Sequence, residues 1–310
     1  MALPNLHRDD TQEVRRIQQY RGSNRTRTNV GTCFENRPTA PPRIRSSASP
    51  KAAPMSVPIE WPPGPERPEP KSDAIDVWRA ELAVDSATLW RLENLLADDE
   101  RARAARFVFE QDRNRYVAAR GILRDVLGRY LQCPPQAIEF VYGVRGKPGV
   151  VSGEPRYPLR FNLSHSHGLA LIGIGSGREI GIDIERMRPE FAGEEIAKRY
   201  FSAKEIAELS RLPEELRTEG FFLCWTRKEA YIKATGDGLH IPLDSFDVSL
   251  TPGKPAILSS VDASRWSIES FDPSLISDTS YAAAVVAQGQ DWTVRYFEWK
   301  QSHEQARLQD

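Results

Sequence analysis

The chain has 310 residues, with 42 Lys+Arg against 43 Asp+Glu, 5 His and 3 Cys, so its formal net charge is −1. That balance excludes a generally basic nucleic-acid binder and a supercharged acidic protein, and no apolar run reaches the roughly 18 residues that a membrane span needs. Apolar residues at 40% and charged residues at 27% describe an ordinary globular chain of about two domains. Cys33, Cys133 and Cys224 are far apart and odd in number. They supply no zinc knuckle or disulfide framework and fit a reducing, cytoplasmic compartment.

The charges are unevenly spread. Residues 1–71 carry 12 of the 23 prolines and 12 Lys+Arg against 7 Asp+Glu, while the remainder has 30 against 36. The first segment has few aliphatic residues and no sustained periodicity. It cannot bury enough apolar surface to offset the entropy of ordering, so 1–71 reads as a disordered Pro/Arg-rich tail. It has no apolar h-region, so a secretory signal is not expected.

From residue 72 the elements alternate in type. Ile75-Asp-Val-Trp78-Arg-Ala-Glu-Leu alternates apolar and polar residues, which predicts a strand. Residues 86–131 are helical in spacing. Asp112 is the expected cap of a long helix in which Tyr116, Ala119, Leu123, Val126, Leu127 and Tyr130 share a face, and Pro134-Pro135 ends it. Ile138–Tyr142 is a short strand and Gly143–Pro148 a loop. Phe161–Ser164 opens a strand or turn, and Leu169–Ile174 reads as a buried strand. Gly175–Gly177 turns the chain into the strand Ile180–Glu185. A helix is expected over 192–200. Ser202-Ala-Lys-Glu205 has the form of a capping box and opens another. A third spans about 215–234 and ends at Gly236. Strands near 246–250, 266–271, 280–287 and 292–299 follow. This is an α+β pattern rather than regular βαβ alternation.

Four groups of residues could carry chemistry. In Ile180-Gly181-Ile182-Asp183-Ile184-Glu185 the isoleucines face one way and the two carboxylates the other, about 7 Å apart. They form either a solvated acidic face or a site for a hard cation such as Mg²⁺. In Trp225-Thr-Arg-Lys228-Glu229-Ala-Tyr-Ile-Lys233, Glu229 and Lys233 stand at i and i+4 on one helix face. They are either an exposed ion pair, or a third carboxylate with a phosphate-binding lysine. Asn162-Leu-Ser164-His165-Ser166-His167 offers hydroxyl, backbone and imidazole donors to a phosphate. It lacks the Gly-x-Ser-x-Gly elbow of a serine hydrolase and the ligand count of a zinc site. Arg145-Gly146-Lys147-Pro148, with Arg103, Arg115 and Arg120 upstream, could reach a phosphate. Neither a P-loop nor a Rossmann glycine pattern is present.

The order of these groups is more specific than any one of them. Arg120, Gly146-Lys147-Pro148, Asn162-Leu-Ser164-His165-Ser166, Gly181-Ile-Asp183-Ile-Glu185, Phe201-Ser-x-x-Glu205, Trp225-x-x-Lys-Glu229-Ala-x-x-Lys233 and Gly238-Leu-His-Ile-Pro-Leu-Asp-Ser-Phe follow one another. This series closely resembles the Sfp-type 4′-phosphopantetheinyl transferase superfamily, over about residues 73–300.

The resemblance implies two similar α+β halves related by a pseudo-two-fold axis, residues 72–178 and 179–300, between the 1–71 tail and a C-terminal tail, 301–310. Coenzyme A would lie in the cleft between the halves of a monomer. The implied activity is Mg²⁺-dependent transfer of 4′-phosphopantetheine from coenzyme A to a serine hydroxyl of an apo acyl or peptidyl carrier protein, releasing adenosine 3′,5′-bisphosphate. Asp183 and Glu229 would hold Mg²⁺, with Glu185 as a further ligand. Asn162, Ser164 and His165 would line the phosphates. Lys147 and Arg120, with Arg145, Gly146 and Pro148 around them, would approach the nucleotide end. Lys233 would contact the pyrophosphate, and Glu229 would take the serine proton. The carrier would dock beside residues 191–221, with no nucleic acid or membrane as partner. A Mg²⁺-dependent phosphohydrolase and a catalytically silent coenzyme A-binding protein are the competing readings.

Overall fold

The computed structural model describes residues 60–150, 158–236, 241–272 and 280–301. The expected tail over 1–59, the segment Gly238-Leu239-His240 and residues 302–310 lie outside them. Among the described residues no helix is long and apolar enough to cross a membrane.

The first strand, β1 (Ala74–Glu81), is central in a four-stranded sheet. It pairs antiparallel with β5 (Leu169–Ser176), which pairs with β4 (Leu159–Ser166). Alternation sorts its side chains. Trp78 and Ala80 join one core, and Ile75 and Val77 another. The first core is closed by a 22-residue helix, α3 (Glu110–Leu131), through Ala118, Ala119, Ile122, Leu123, Val126 and Leu127. Two shorter helices, α1 (Ser86–Asn94) and α2 (Asp98–Ala104), precede it. Asp112 is not its cap. The helix starts after Phe109, without a side-chain cap, and Asp112 lies in the first turn. There an acidic group still suits the helix dipole.

The second half repeats the theme of a long helix on a sheet. Strands β6 (Ile180–Arg186), β10 (Tyr281–Gln288) and β9 (Trp266–Phe271) form an antiparallel sheet in the order β6-β10-β9, and the short strands β7 (Asp247–Val248) and β8 (Leu258–Ser259) pair with each other. A second 22-residue helix, α6 (Glu214–Thr235), covers it and ends at Gly236, whose φ is 75°. Ala282, Ala284 and Val286 of β10 present a flat apolar face to this helix. Before it come α4 (Glu194–Tyr200) and α5 (Ala203–Arg211). The expected capping box is present, with Glu205 N donating to Ser202 Oγ at 3.2 Å and Ser202 N to Glu205 Oε2 at 2.8 Å. Ile75, Val77, Leu169 and Leu171 of the first sheet share a third core with Ile180, Ile182, Ile184 and Val285 of the second.

The structure differs from the sequence expectations at three further places. Residues 60–71 are not part of a featureless tail. Trp61 packs edge-on against Tyr296, with ring centroids 5.0 Å apart, and lies under the Arg79 guanidinium. Gly64 N donates to Glu298 O at 2.9 Å. One tryptophan supplies enough apolar surface to seat a proline-rich strap that composition alone scores as disordered. Second, the last strand, β11 (Thr293–Glu298), belongs by sequence to the second half yet pairs in parallel with β1. Its Arg295 clamps the buried Asp76 carboxylate, at 2.6 and 2.8 Å. Third, the Gly143–Pro148 loop is the tip of a hairpin, β2 (Phe140–Tyr142) and β3 (Pro148–Val150), turned by Gly146 at φ 85°.

Candidate active site

The two sheets meet along β4 and β6, and the joint is made by side chains. Asn162, Ser164 and Ser166 project from alternate positions of β4. Asn162 Oδ1 accepts from Ile182 N at 2.8 Å. Ser164 Oγ donates to Asp183 Oδ1 at 2.9 Å. Ser166 Oγ donates to Glu185 Oε2 at 2.8 Å and accepts from Arg186 N at 3.1 Å. The Asn-x-Ser-x-Ser pattern is thus a polar seam that places the two carboxylates of β6 against the first half.

Asp183 is 3% exposed. Its Oδ1 also accepts from Lys233 Nζ at 2.7 Å, and Lys233 Nζ stands 3.1 Å from Ser164 Oγ. A buried carboxylate needs such a cation, because desolvation without a partner costs several kcal/mol. Lys233 reaches it because α6 lies directly on β6. A Cβ placed on Gly181 would come 2.8 Å from the Lys233 carbonyl carbon and closer still to the Ala230 oxygen and Ala234 nitrogen. The sequence reading left room at Gly181 for something to approach. That something is the helix backbone. Glu229 immediately precedes Ala230 and stands one turn before Lys233 on the same face.

The sequence candidates therefore divide. Ser164, Asp183 and Lys233 are brought into one hydrogen-bonded cluster, with Glu185 beside it on β6 and Glu229 on the covering helix. Asn162 is buried and its side-chain oxygen is committed to the seam, which leaves its amide nitrogen as the group that could donate. His165 alternates with the two serines and shares its side of β4 with Phe161 and Leu163 of the first core. Lys147 lies at the C-terminal end of α6, donating to Ala234 O and to Glu179 Oε2, each at 2.8 Å. Burial holds its ammonium below the usual lysine range, with Glu179 opposing that shift. Pro148 starts β3, and Gly146 and Arg145 form the turn before it, with Arg145 exposed. Arg120 is spoken for. It pairs with Glu100, which is 3% exposed and also binds Arg124, and it stacks over Phe140 at 4.7 Å.

One residue escaped the sequence reading. Glu100 is the buried acid that holds Arg120, and only its placement on α2, far from Arg120 in sequence, hides it. His167, in the β4–β5 turn at φ 56°, has its imidazole pushed down to about 4 by burial and by the nearby Arg188, Arg186 and Arg115. The charge of Glu185 in turn acts on one of them, Arg188.

The donors on β6 and α6 are oxygens only, which suits Mg²⁺ rather than zinc. In the arrangement described, no three His, Cys, Asp or Glu side chains among the described residues close on one point. The Lys233 ammonium is bonded to Asp183 Oδ1. The donor set fits the ion in kind.

Sequence comparison decides the family. The pattern described as "4′-phosphopantetheinyl transferase superfamily" matches residues 179–286, and that of the "4′-phosphopantetheinyl transferase, N-terminal" region matches 84–174. The 4′-phosphopantetheinyl transferase HetI of a Nostoc species is 41% identical over 239 residues, which cover 77% of this chain and 98% of that one. The chain belongs to the 4′-phosphopantetheinyl transferase superfamily. It is a transferase, and the two patterns match stretches that run from α1 into β5 and from β6 into β10. The transferase Sfp of Bacillus subtilis is 35% identical over 161 residues, covering 52% of this chain and 69% of Sfp. A transferase of Synechocystis, described there as putative, is 43% identical over 145 residues, covering 47% and 58%. Within this transferase the second pattern ends before β11, so the strand exchange to β1 lies outside both matched stretches.

Proposed function

We propose that this transferase moves the 4′-phosphopantetheine group of coenzyme A onto a serine hydroxyl of an apo acyl or peptidyl carrier protein, with Mg²⁺, releasing adenosine 3′,5′-bisphosphate. The observation that supports it best is the Ser164–Asp183–Lys233 cluster, a buried carboxylate and a cation held together where the two sheets meet.

Asp183, Glu185 and Glu229 would hold the metal. When bound, the ion would neutralise pyrophosphate oxygens, which is the main requirement of phosphoryl transfer. The chain's own residues do the rest. The attacking serine Oγ forms a bond to the β-phosphorus, and the bond from that phosphorus to the oxygen of the leaving bisphosphate breaks. Glu229 takes the hydroxyl proton, because serine is a weak nucleophile at neutral pH. Lys233, once off Asp183, offsets the charge gathering on the leaving group. Ser164 keeps Asp183 in place, and His165 and Lys147 border the nucleotide side. The carrier would dock beside residues 191–221, on α4, α5 and the start of α6. Both halves lie in one chain, so a monomer suffices.

Incubation with coenzyme A, Mg²⁺ and an apo carrier protein, followed by mass spectrometry, tests this. A phosphopantetheine increment on the carrier serine is expected. Coenzyme A cleavage without the increment would identify a phosphohydrolase, and binding without either a silent member.

A further inference from the structure

The two sheets enclose the third core between them and have two long margins. Along one margin β4 and β6 meet in the polar seam. At the other stand β11 and β9, the far edge strands of the β11-β1-β5-β4 and β6-β10-β9 sheets. The contact there is aromatic. Tyr296 of β11 and Phe271 of β9 pack edge-on with ring centroids 5.3 Å apart, and Tyr296 Oη donates to Glu269 Oε1 of β9 at 3.2 Å. Trp61 completes the group. Its ring lies 5.0 Å from that of Tyr296 and 6.3 Å from that of Phe271, so one side chain outside both strands packs against the two sheets at once.

The backbone around Trp61 is pinned to the first sheet. Glu298 N donates to Pro62 O at 2.8 Å and Gly64 N to Glu298 O at 2.9 Å, which extends the sheet beyond β11. Further along, Arg295 Nη2 donates to Glu69 O at 2.8 Å, and Pro68 is buried. Gly64 lies against the ring of the fully buried Trp78, with no room for a Cβ. The strap and β11 both fall outside the stretches, 84–174 and 179–286, that match the superfamily patterns.

We propose that Trp61 is a positioning residue for the transfer reaction: it clasps β11 to β9 and thereby fixes the angle between two sheets whose opposite margin carries the site. The inference rests on the proposed transfer at the β4–β6 joint. Without the indole the aromatic margin loses much of its apolar area, while the hydrogen bonds of the seam still hold the other margin. The sheets then pivot about the seam. Ser164 belongs to one sheet, and Asp183 and Lys233 to the other sheet and its helix. A pivot therefore moves the groups that must converge on one substrate, and a misplacement of about 1 Å can cost on the order of 100-fold in rate.

Trp61→Ala and Trp61→Phe, made in the full chain, are compared with the wild type. Trp90→Ala is the control, since Trp90 is 61% exposed on α1. Hydrogen exchange should quicken in both β9 and β11 of Trp61→Ala, while α3 stays protected. At a temperature where circular dichroism shows it folded, its kcat/KM for carrier modification should fall about tenfold or more. Trp61→Phe should recover most of that loss, and Trp90→Ala should lose nothing. Should Trp61→Ala not fold, Gly64→Ala keeps the indole but lifts the strap off Trp78, and the same two effects are expected of it. Quickened exchange confined to β11 would mean that the strap covers the first sheet alone, which overturns the clasp. Exchange quickened in both strands with kcat/KM within about twofold of the wild type overturns the positioning role. A wild type without transfer activity would instead defeat the proposed function, and hydrogen exchange would still decide the clasp.

Discussion

Gly181→Ala is the sharpest perturbation that the site allows, because one methyl group would strike the backbone of α6 at three atoms. The added Cβ would lie 2.8 Å from the Lys233 carbonyl carbon, short of the 3.4 Å of ordinary contact, and closer to Ala230 O and Ala234 N. None of these is the end of a flexible side chain. The helix must retreat as a body, and it carries Phe222, Ala230, Ile232 and Ala234 of the second core with it. Overpacking a core typically costs about 1–3 kcal/mol, and a rigid backbone target places this case near ~3 kcal/mol. For a folded unit of this size each kcal/mol lowers Tm by about 2–4 °C, so a drop of roughly 6–12 °C is expected. The same retreat stretches the 2.7 Å Lys233–Asp183 bond, so transfer activity should fall at temperatures where the variant is still folded. Gly149→Ala is the control, since its Cβ would meet Val141 at 3.6 Å, an ordinary contact. Differential scanning calorimetry and the carrier-modification assay give the two readouts. A Tm within about 2 °C of the wild type, with activity retained, would refute the argument that Gly181 is required by the helix.

Other predictions follow from groups that the fold buries in pairs. Lys228 and Glu205 are each 1% exposed and 2.8 Å apart, and Lys228 Nζ also donates to Leu243 O and Phe246 O at 2.6 Å. Lys228→Met leaves Glu205 buried without its cation and should cost about 3–5 kcal/mol in urea unfolding. Arg295→Met removes the clamp on Asp76, and hydrogen exchange should quicken along β11 and β1 while the second sheet stays protected. His167 has a folded pKa near 4, below its usual value of 6.5. The unfolded chain therefore binds this proton first, and stability is lost as pH falls from about 6.5 to about 4, then levels off. His167→Asn tolerates the left-handed backbone and should flatten that part of the stability profile. A slope unchanged between pH 6.5 and 4 would assign the acid sensitivity to other groups.

Local patterns carried most of the fold into view. Ser202-x-x-Glu205 and Gly236 announce helix ends through bonds made within a few residues, and both sit where the spacing puts them. Ile180, Ile182 and Ile184 face a core because a strand has a period of two. What could not be read is long-range. Nothing in Thr293–Glu298 says that it will pair with a strand more than 200 residues earlier, and Trp61 reads as part of a proline-rich run until Tyr296 is seen beneath it. In the site, spacing put Asp183 with Glu185 and Glu229 with Lys233. It did not reveal that Lys233 crosses to Asp183, since i, i+4 proximity on a helix suggests Glu229 as its partner first. Arg120 shows the converse. Its charge was legible, and the buried Glu100 that engages it was not.

The polar seam explains why the site lies where it does. Asn162, Ser164 and Ser166 join the first sheet to the second, and the same three positions set the distances of Ile182, Asp183 and Glu185 from β4. An apolar seam would pack the halves equally well, since both sheets already share an apolar core on one side. Hydrogen bonds add direction, and buried ones are costly to break. A shift of β6 by one residue against β4 would carry Asp183 and Glu185 off the serine hydroxyls that hold them. The serines therefore fix where both carboxylates stand at this joint, and this gives each of them a role before any substrate binds.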